Sequence, residues 1–76
     1  MPLTVTVKLF ATFRDGRFKV ERRSYTETTT IGQVIQELEL PEDQLGAILL
    51  NARHVEQDVV LHDGDTLSIF PLVGGG

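Results

Sequence analysis

Cysteine is absent from this sequence. Its absence excludes a disulfide framework, a thiolate metal site and a cysteine nucleophile. It also fits a reducing compartment, and a cytoplasmic location is the expectation. No apolar run approaches the roughly 20 residues of a membrane span. No basic segment leads into an apolar one, and Met1-Pro2 is followed at once by alternating residues. Neither a signal peptide nor a membrane anchor is therefore expected. Basic side chains are scarce in one part only. Residues 31–76 hold a single one, Arg53, against eight acids, whereas residues 1–30 hold six bases and three acids. The net charge of −4 argues against nucleic acid as a partner. The cluster Arg14, Arg17, Lys19, Arg22 and Arg23 reads as a solvated hairpin, with contact to a phosphate or an acidic partner as the alternative. With 76 residues the chain has room for one domain. A domain of that size buries only ~60% of its unfolded surface, which leaves little room for an internal active-site cavity.

What is present is a chain of short, well-punctuated elements. Leu3, Val5, Val7 and Leu9 alternate with Thr4, Thr6, Lys8 and Phe10, the period of a half-buried strand. Asp15-Gly16 signals a turn, and a second strand is predicted from Phe18 to about Tyr25. Thr30 suits a helix N-cap, and Gln33 three residues on completes a capping box. Ile31, Val34, Ile35 and Leu38 then form one apolar stripe. Pro41 forbids continuation, so the helix is predicted over 31–40. Ala47-Ile48-Leu49-Leu50 reads as a buried strand, Asn51-Ala52 as a turn and Val59-Val60-Leu61 as a brief strand or extended segment. Asp63-Gly64-Asp65 is a turn, and Thr66 to Leu72 is the last strand. This order gives an α+β fold, with a mixed sheet of four to five strands packed on one main helix. A β-grasp topology, with first and last strands parallel and adjacent, is the leading arrangement. Residues 1–72 form the domain. Residues 73–76, Val73-Gly74-Gly75-Gly76, have almost no side chains to anchor them and are expected to form a mobile tail.

The segment from Asp63 to Gly76 resembles the C-terminus of the MoaD/ThiS sulfur carriers. It has a D-G-D turn, an alternating strand, a proline (Pro71), the hydrophobic pair Leu72-Val73 and a terminal Gly-Gly. The start, Val7-Lys8-Leu9-Phe10-Ala11-Thr12-Phe13-Arg14, resembles the first strand of MoaD-type members. Gly74 and Ala52 depart from the pattern: relatives often carry another small residue at the first and a turn glycine at the second. The resemblance spans the chain and implies the ubiquitin-like β-grasp. It also implies a chemistry. A ubiquitin-activating-enzyme-like adenylyltransferase uses ATP to convert the terminal carboxylate to an acyl adenylate. A sulfur donor then replaces AMP to leave a thiocarboxylate. That sulfur serves molybdopterin synthesis in MoaD-type members, whose tail enters the large subunit of molybdopterin synthase. In ThiS-type members it serves the thiamin thiazole. Phe10, Phe70 and the Phe-Pro-x-Val-x-Gly-Gly ending favour the MoaD-like version. The chain is then a sulfur-carrying cosubstrate or small subunit rather than a stand-alone catalyst. A ubiquitin-like protein modifier and a non-covalent binding module are the alternatives.

The residues suit that chemistry. Glycine makes the tail thin and unhindered, so Gly76 is expected to carry the acyl adenylate and thiocarboxylate, with Gly75 beside it and Gly74 lending reach. Gly74-Gly75-Gly76 is no phosphate-binding loop, because no Lys-Ser/Thr and no helix follow it. No cofactor is therefore expected on this chain, and ATP belongs to the activating partner. Alternation places Phe10 and Phe70 on one outer face if their strands are neighbours, with Leu49 joining them. This apolar patch, with Leu72 and Gly74 near the tail, is the expected partner-binding surface. Arg53 either flanks it or is an ordinary turn residue. His54 and His62 lack partners at ligand spacing, so no metal site is expected. Asp63 and Asp65 read as turn formers.

Overall fold

The structure is a computed structural model and describes residues 2–72. The expected tail, residues 73–76, lies outside the described residues.

Five strands form one mixed sheet: β1 (Leu3–Leu9), β2 (Val20–Tyr25), β3 (Leu45–Leu50), β4 (Arg53–His54) and β5 (Thr66–Pro71). Their order is β2-β1-β5-β3-β4. β1 and β5 run parallel at the centre, in register from Thr6↔Thr66 to Leu9↔Ile69. The other pairings are antiparallel. One helix, α1 (Ile31–Glu37), covers one face of the sheet. This is the β-grasp arrangement that the order of elements predicted.

The alternation in the strands explains the layers. Leu3, Val5, Val7 and Leu9 of β1 and Leu67 and Ile69 of β5 are buried, and they pack against Ile31, Val34 and Ile35 of α1. Every second residue faces the other way, so the sheet has a core face and an outer face.

β3 starts at Leu45 rather than Ala47 and β5 ends at Pro71 rather than Leu72, and four larger local features differ from the sequence reading. β1 and β2 form the expected antiparallel hairpin, but the link between them is more than the Asp15-Gly16 turn. It contains a 3-10 turn, Ala11–Arg14, that drives Phe13 into the core at 2% exposure. β2 accordingly starts at Val20 rather than Phe18. The helix ends at Glu37 instead of residue 40. Glu39 takes φ 56°, and the Glu39 and Leu40 N–H groups bond back to the Gln36 and Ile35 carbonyls. This left-handed stop acts before Pro41 is reached. The expected capping box is present, with Thr30 and Gln33 bonding reciprocally.

The fourth difference is the short strand. It forms at Arg53–His54, not at Val59-Val60-Leu61. The latter segment makes one isolated bridge, Thr30↔Val60. Its neighbourhood serves the helix instead. The Ile31 N–H donates to the Val59 carbonyl at 3.0 Å, and the Gly32 N–H to the Gln57 carbonyl at 2.9 Å. The first turn of a helix has N–H groups without intrahelical partners. Here a passing chain segment satisfies two of them, so it is not free to pair with the sheet.

Candidate functional site

The outer face near the end of β5 carries the residues singled out from sequence. Phe10 follows β1 and Phe70 lies on β5, so the parallel pairing of those strands brings them side by side. Their rings stack with centroids 4.0 Å apart and planes inclined by 10°. Each ring covers the other, so both are half-buried rather than fully open. Arg14, in the 3-10 turn, lies over the Phe10 ring. Its Nε donates to the Leu9 carbonyl at 2.7 Å, and its guanidinium carbon lies 5.3 Å from the Phe10 ring centre. That geometry suits a cation–π contact.

Leu72 is the last described residue and is 63% exposed. Its N–H donates to the Gln44 carbonyl at 2.8 Å, which fixes where the backbone leaves the sheet. Pro71 beside it is buried. Phe10, Ala11, Gly46, Ala47, Phe70, Pro71 and Leu72 together line an open, mostly apolar groove of about 420 Å³.

Gly46 makes this exit possible. It lies at an irregularity in β3, where the pairing shifts between Leu45↔Pro71 and Ala47↔Phe70. A Cβ built on Gly46 would sit 2.5 Å from the Pro71 carbonyl oxygen and 2.9 Å from the Leu72 nitrogen. Only glycine lets the two backbones approach this closely. The sequence reading overlooked Gly46. Its signal was a glycine beside the apolar strand run Ala47–Leu50, which points to a bulge or a close backbone approach.

The remaining expected residues are more scattered. Leu49 lies on the outer face, opposite Ser68 on β5 and His54 on β4. It is one pair further along the sheet from Phe70 and does not line the groove. Arg53 pairs with Leu50, whose alternation puts it on the core side of the sheet. Arg53 is therefore set apart from the aromatic pair. Gly74, Gly75 and Gly76 lie outside the described residues. Among the described residues no cluster of three His, Asp or Glu side chains is placed to hold a metal, and no helix is long and apolar enough to cross a membrane.

A stacked aromatic pair beside Leu72, followed in the sequence by Val73-Gly74-Gly75-Gly76, is the arrangement to compare with known proteins. The ThiS family model matches residues 7–76. The chain belongs to the ThiS family. It is a ubiquitin-like β-grasp protein of the MoaD/ThiS sulfur-carrier type. No curated protein matches its sequence. Among solved structures, the HVO 2177 protein of Haloferax volcanii is 28% identical with a TM-score of 0.79; the match covers 99% of this ThiS-family chain and 88% of that one. A protein of Pyrococcus furiosus named for molybdopterin converting factor subunit 1 is 30% identical with a TM-score of 0.76, covering 93% and 99%. The complex of subunits 1 and 2 of the molybdopterin-converting factor of Helicobacter pylori offers a chain 22% identical with a TM-score of 0.64, covering 97% and 100%. That last likeness is one of fold.

Proposed function

We propose that this ThiS-family protein is a sulfur carrier for molybdopterin synthesis, and that Gly76 is its reacting residue. The observation that carries the reading is the Phe10–Phe70 stack beside the exit of a glycine-terminated chain. The likeness to the Pyrococcus protein named for molybdopterin converting factor supports the molybdopterin branch over the thiazole branch. The Helicobacter two-subunit complex supports a larger acceptor subunit as one partner.

The chemistry needs two partners because a carboxylate is a poor acyl donor. One oxygen of the Gly76 carboxylate attacks the α-phosphorus of ATP in an adenylyltransferase, and pyrophosphate leaves. Hydrosulfide from the sulfur donor then attacks the activated carbonyl, AMP leaves with the oxygen, and a thiocarboxylate remains. Splitting the exchange this way replaces one difficult step with two easier ones. The chain supplies the carboxylate, its reach and a docking surface. Ordering each tail residue on docking costs about 1–2 kcal/mol, which contacts of the folded body must offset. The aromatic pair and Leu72 offer the apolar area for that.

Intact mass spectrometry after incubation with the adenylyltransferase, ATP and a sulfur donor tests the reading. The expected product gains the mass difference of one sulfur for one oxygen, and deletion of Gly76 abolishes it. Stable conjugates to target lysines without a thiocarboxylate would identify a protein modifier instead. An unchanged mass with the cognate enzyme would refute activation altogether.

A further inference from the structure

The sequence holds two Asp-Gly pairs, Asp15-Gly16 and Asp63-Gly64, and a single asparagine, Asn51. These are the side chains most open to attack by the next backbone nitrogen, above all where glycine leaves that nitrogen unhindered. Two of the three are locked. Asp63 Oδ1 accepts from the Thr4 N–H at 2.8 Å, and the Gly64 N–H donates to the Thr4 carbonyl at 2.9 Å. Both reacting groups of that pair are thus tied to the start of β1. Asn51 is held through both side-chain atoms, by the Thr66 N–H and by Asp65. Asp15-Gly16 differs. Both residues are exposed, at the tip of the link between β1 and β2. Among the described residues, neither the Asp15 carboxylate nor the Gly16 N–H has a hydrogen-bond or ion-pair partner. Asp15 sits at ψ 121°, so the Gly16 nitrogen must swing round to reach the carboxyl carbon. The tie on that peptide unit is one long contact, from Arg17 Nη1 to the Asp15 carbonyl at 3.5 Å. Gly16, at φ 70° with open space around it, absorbs the rotation.

We propose that Asp15-Gly16 is a modification site, at which the folded chain forms isoaspartate and becomes a substrate for an isoaspartyl carboxyl methyltransferase. The proposal is independent of the carrier reading. The Gly16 nitrogen bonds to Asp15 Cγ, and its proton leaves with the carboxyl hydroxyl as water. The resulting succinimide opens when water adds to either of its carbonyls. Addition at Cγ restores aspartate. Addition at the main-chain carbonyl carbon leaves the chain running through Cγ, with the former main-chain carbonyl as the new carboxylate. No electron is gained or lost in either step. The methyltransferase then places a methyl group from S-adenosylmethionine on that carboxylate and releases S-adenosylhomocysteine. The extra main-chain atom falls between Phe13, fixed in the core, and Arg17. Arg17 grips the end of α1, donating to the Leu38 and Glu39 carbonyls at 3.0 Å each. Isoaspartate therefore shifts the clamp that ties this link to the helix. At Asp63 the same ring closure must first break both bonds to Thr4, which requires a local opening of the turn.

The test ages the full chain at neutral pH for several weeks, once folded and once in urea. Each sample then meets an isoaspartyl methyltransferase with labelled S-adenosylmethionine, and peptide mapping by electron-transfer fragmentation locates the isoaspartate. In the folded chain the label should appear at Asp15 and not at Asp63, with a transient species lighter by one water. In urea both Asp-Gly pairs should take the label. Asp15→Glu would have to close a larger ring, so its folded-state label should be lost. The Asp15 carboxylate has no partner to lose, so this variant should keep the wild-type fold by circular dichroism. A folded chain without label, equal label at Asp63 and Asp15, or undiminished label in Asp15→Glu would each overturn the proposal. An Asp63 that stayed unlabelled even in urea would overturn it too, because the contrast between the two sites would then not come from the bonds to Thr4.

Discussion

Ala52 holds φ at 69° in the two-residue turn between β3 and β4, directly after Asn51 at 52°. A turn with both central residues in the left-handed region matches the twist of a hairpin, and its preferred pair is Asn-Gly. Asn51 is locked there: its Oδ1 accepts from the Thr66 N–H, and its Nδ2 donates to Asp65 Oδ1, both at 2.9 Å. Ala52 has no such anchor and carries a Cβ that crowds its own carbonyl, a strain of about 1–2 kcal/mol. Ala52→Gly relieves it but adds freedom to the unfolded chain, about 0.5–1 kcal/mol. The net expectation is a gain of about 0.5–1 kcal/mol, read as a melting temperature higher by roughly 4 °C. Gly46 is the opposite case. In Gly46→Ala the new Cβ meets backbone atoms of Pro71 and Leu72, which cannot rotate away. A loss of about 1–3 kcal/mol is expected in urea unfolding. Because the displaced backbone leads directly to residues 73–76, the proposed carrier function predicts a lower thiocarboxylate yield even at temperatures where the variant is fully folded.

Between elements, the main polar tie runs from β2 to α1. The Tyr25 hydroxyl donates to Glu37 Oε1 at 2.9 Å and accepts from Arg23 Nε at 2.8 Å. Arg23 also reaches Glu37 at 3.0 Å and Glu21 at 2.9 Å. Burial, and then the bond to the Glu37 carboxylate, push the Tyr25 phenol up from 10.0 to about 12. The folded chain therefore holds this proton more tightly than the unfolded chain does. Its contribution to stability is complete below about pH 10 and is lost as pH rises through about 12. The ring is only partly buried, so solvent screens the effect and keeps it modest. In Tyr25→Phe, the unfolding free energy measured in urea at pH 7 should be lower by about 1 kcal/mol for the lost bonds. The wild type should lose that advantage between about pH 10 and 12, and the two curves should converge. Parallel curves across that range would contradict the assignment. None of this tie was legible in the sequence, where Tyr25 was simply the end of a strand. It depends on how α1 lies across β2, which no local pattern encodes.

Across the whole molecule, what the sequence revealed was whatever period two or a cap could express. The β1 alternation, the Thr30–Gln33 cap and the parallel β1–β5 pair emerged as expected, and with them the meeting of Phe10 and Phe70. What it hid was settled by long-range hydrogen bonds, as at Val59-Val60-Leu61, or by a loop that turns inward, as at Phe13. Phe13 and Phe70 are the same side chain in two settings, and their contrast separates fold from function. Phe13 is fully enclosed in the core, so Phe13→Ala should cost about 3–5 kcal/mol. That is a large share of the 5–15 kcal/mol by which small domains are stable, and it should leave the variant partly unfolded at 37 °C. Phe70 lies on the outer face with only the Phe10 ring stacked on it. Phe70→Ala should lower stability by no more than about 1–2 kcal/mol, the lost stacking and some apolar cover. Its larger effect should fall on partner binding, a loss of about 2 kcal/mol or roughly thirtyfold in Kd, as for an aromatic anchor at the centre of an interface. Circular dichroism melts and titration calorimetry on both variants read the two effects independently. If Phe70→Ala melted as low as Phe13→Ala while binding its partner normally, the aromatic stack would belong to the core and the docking surface would have to lie elsewhere.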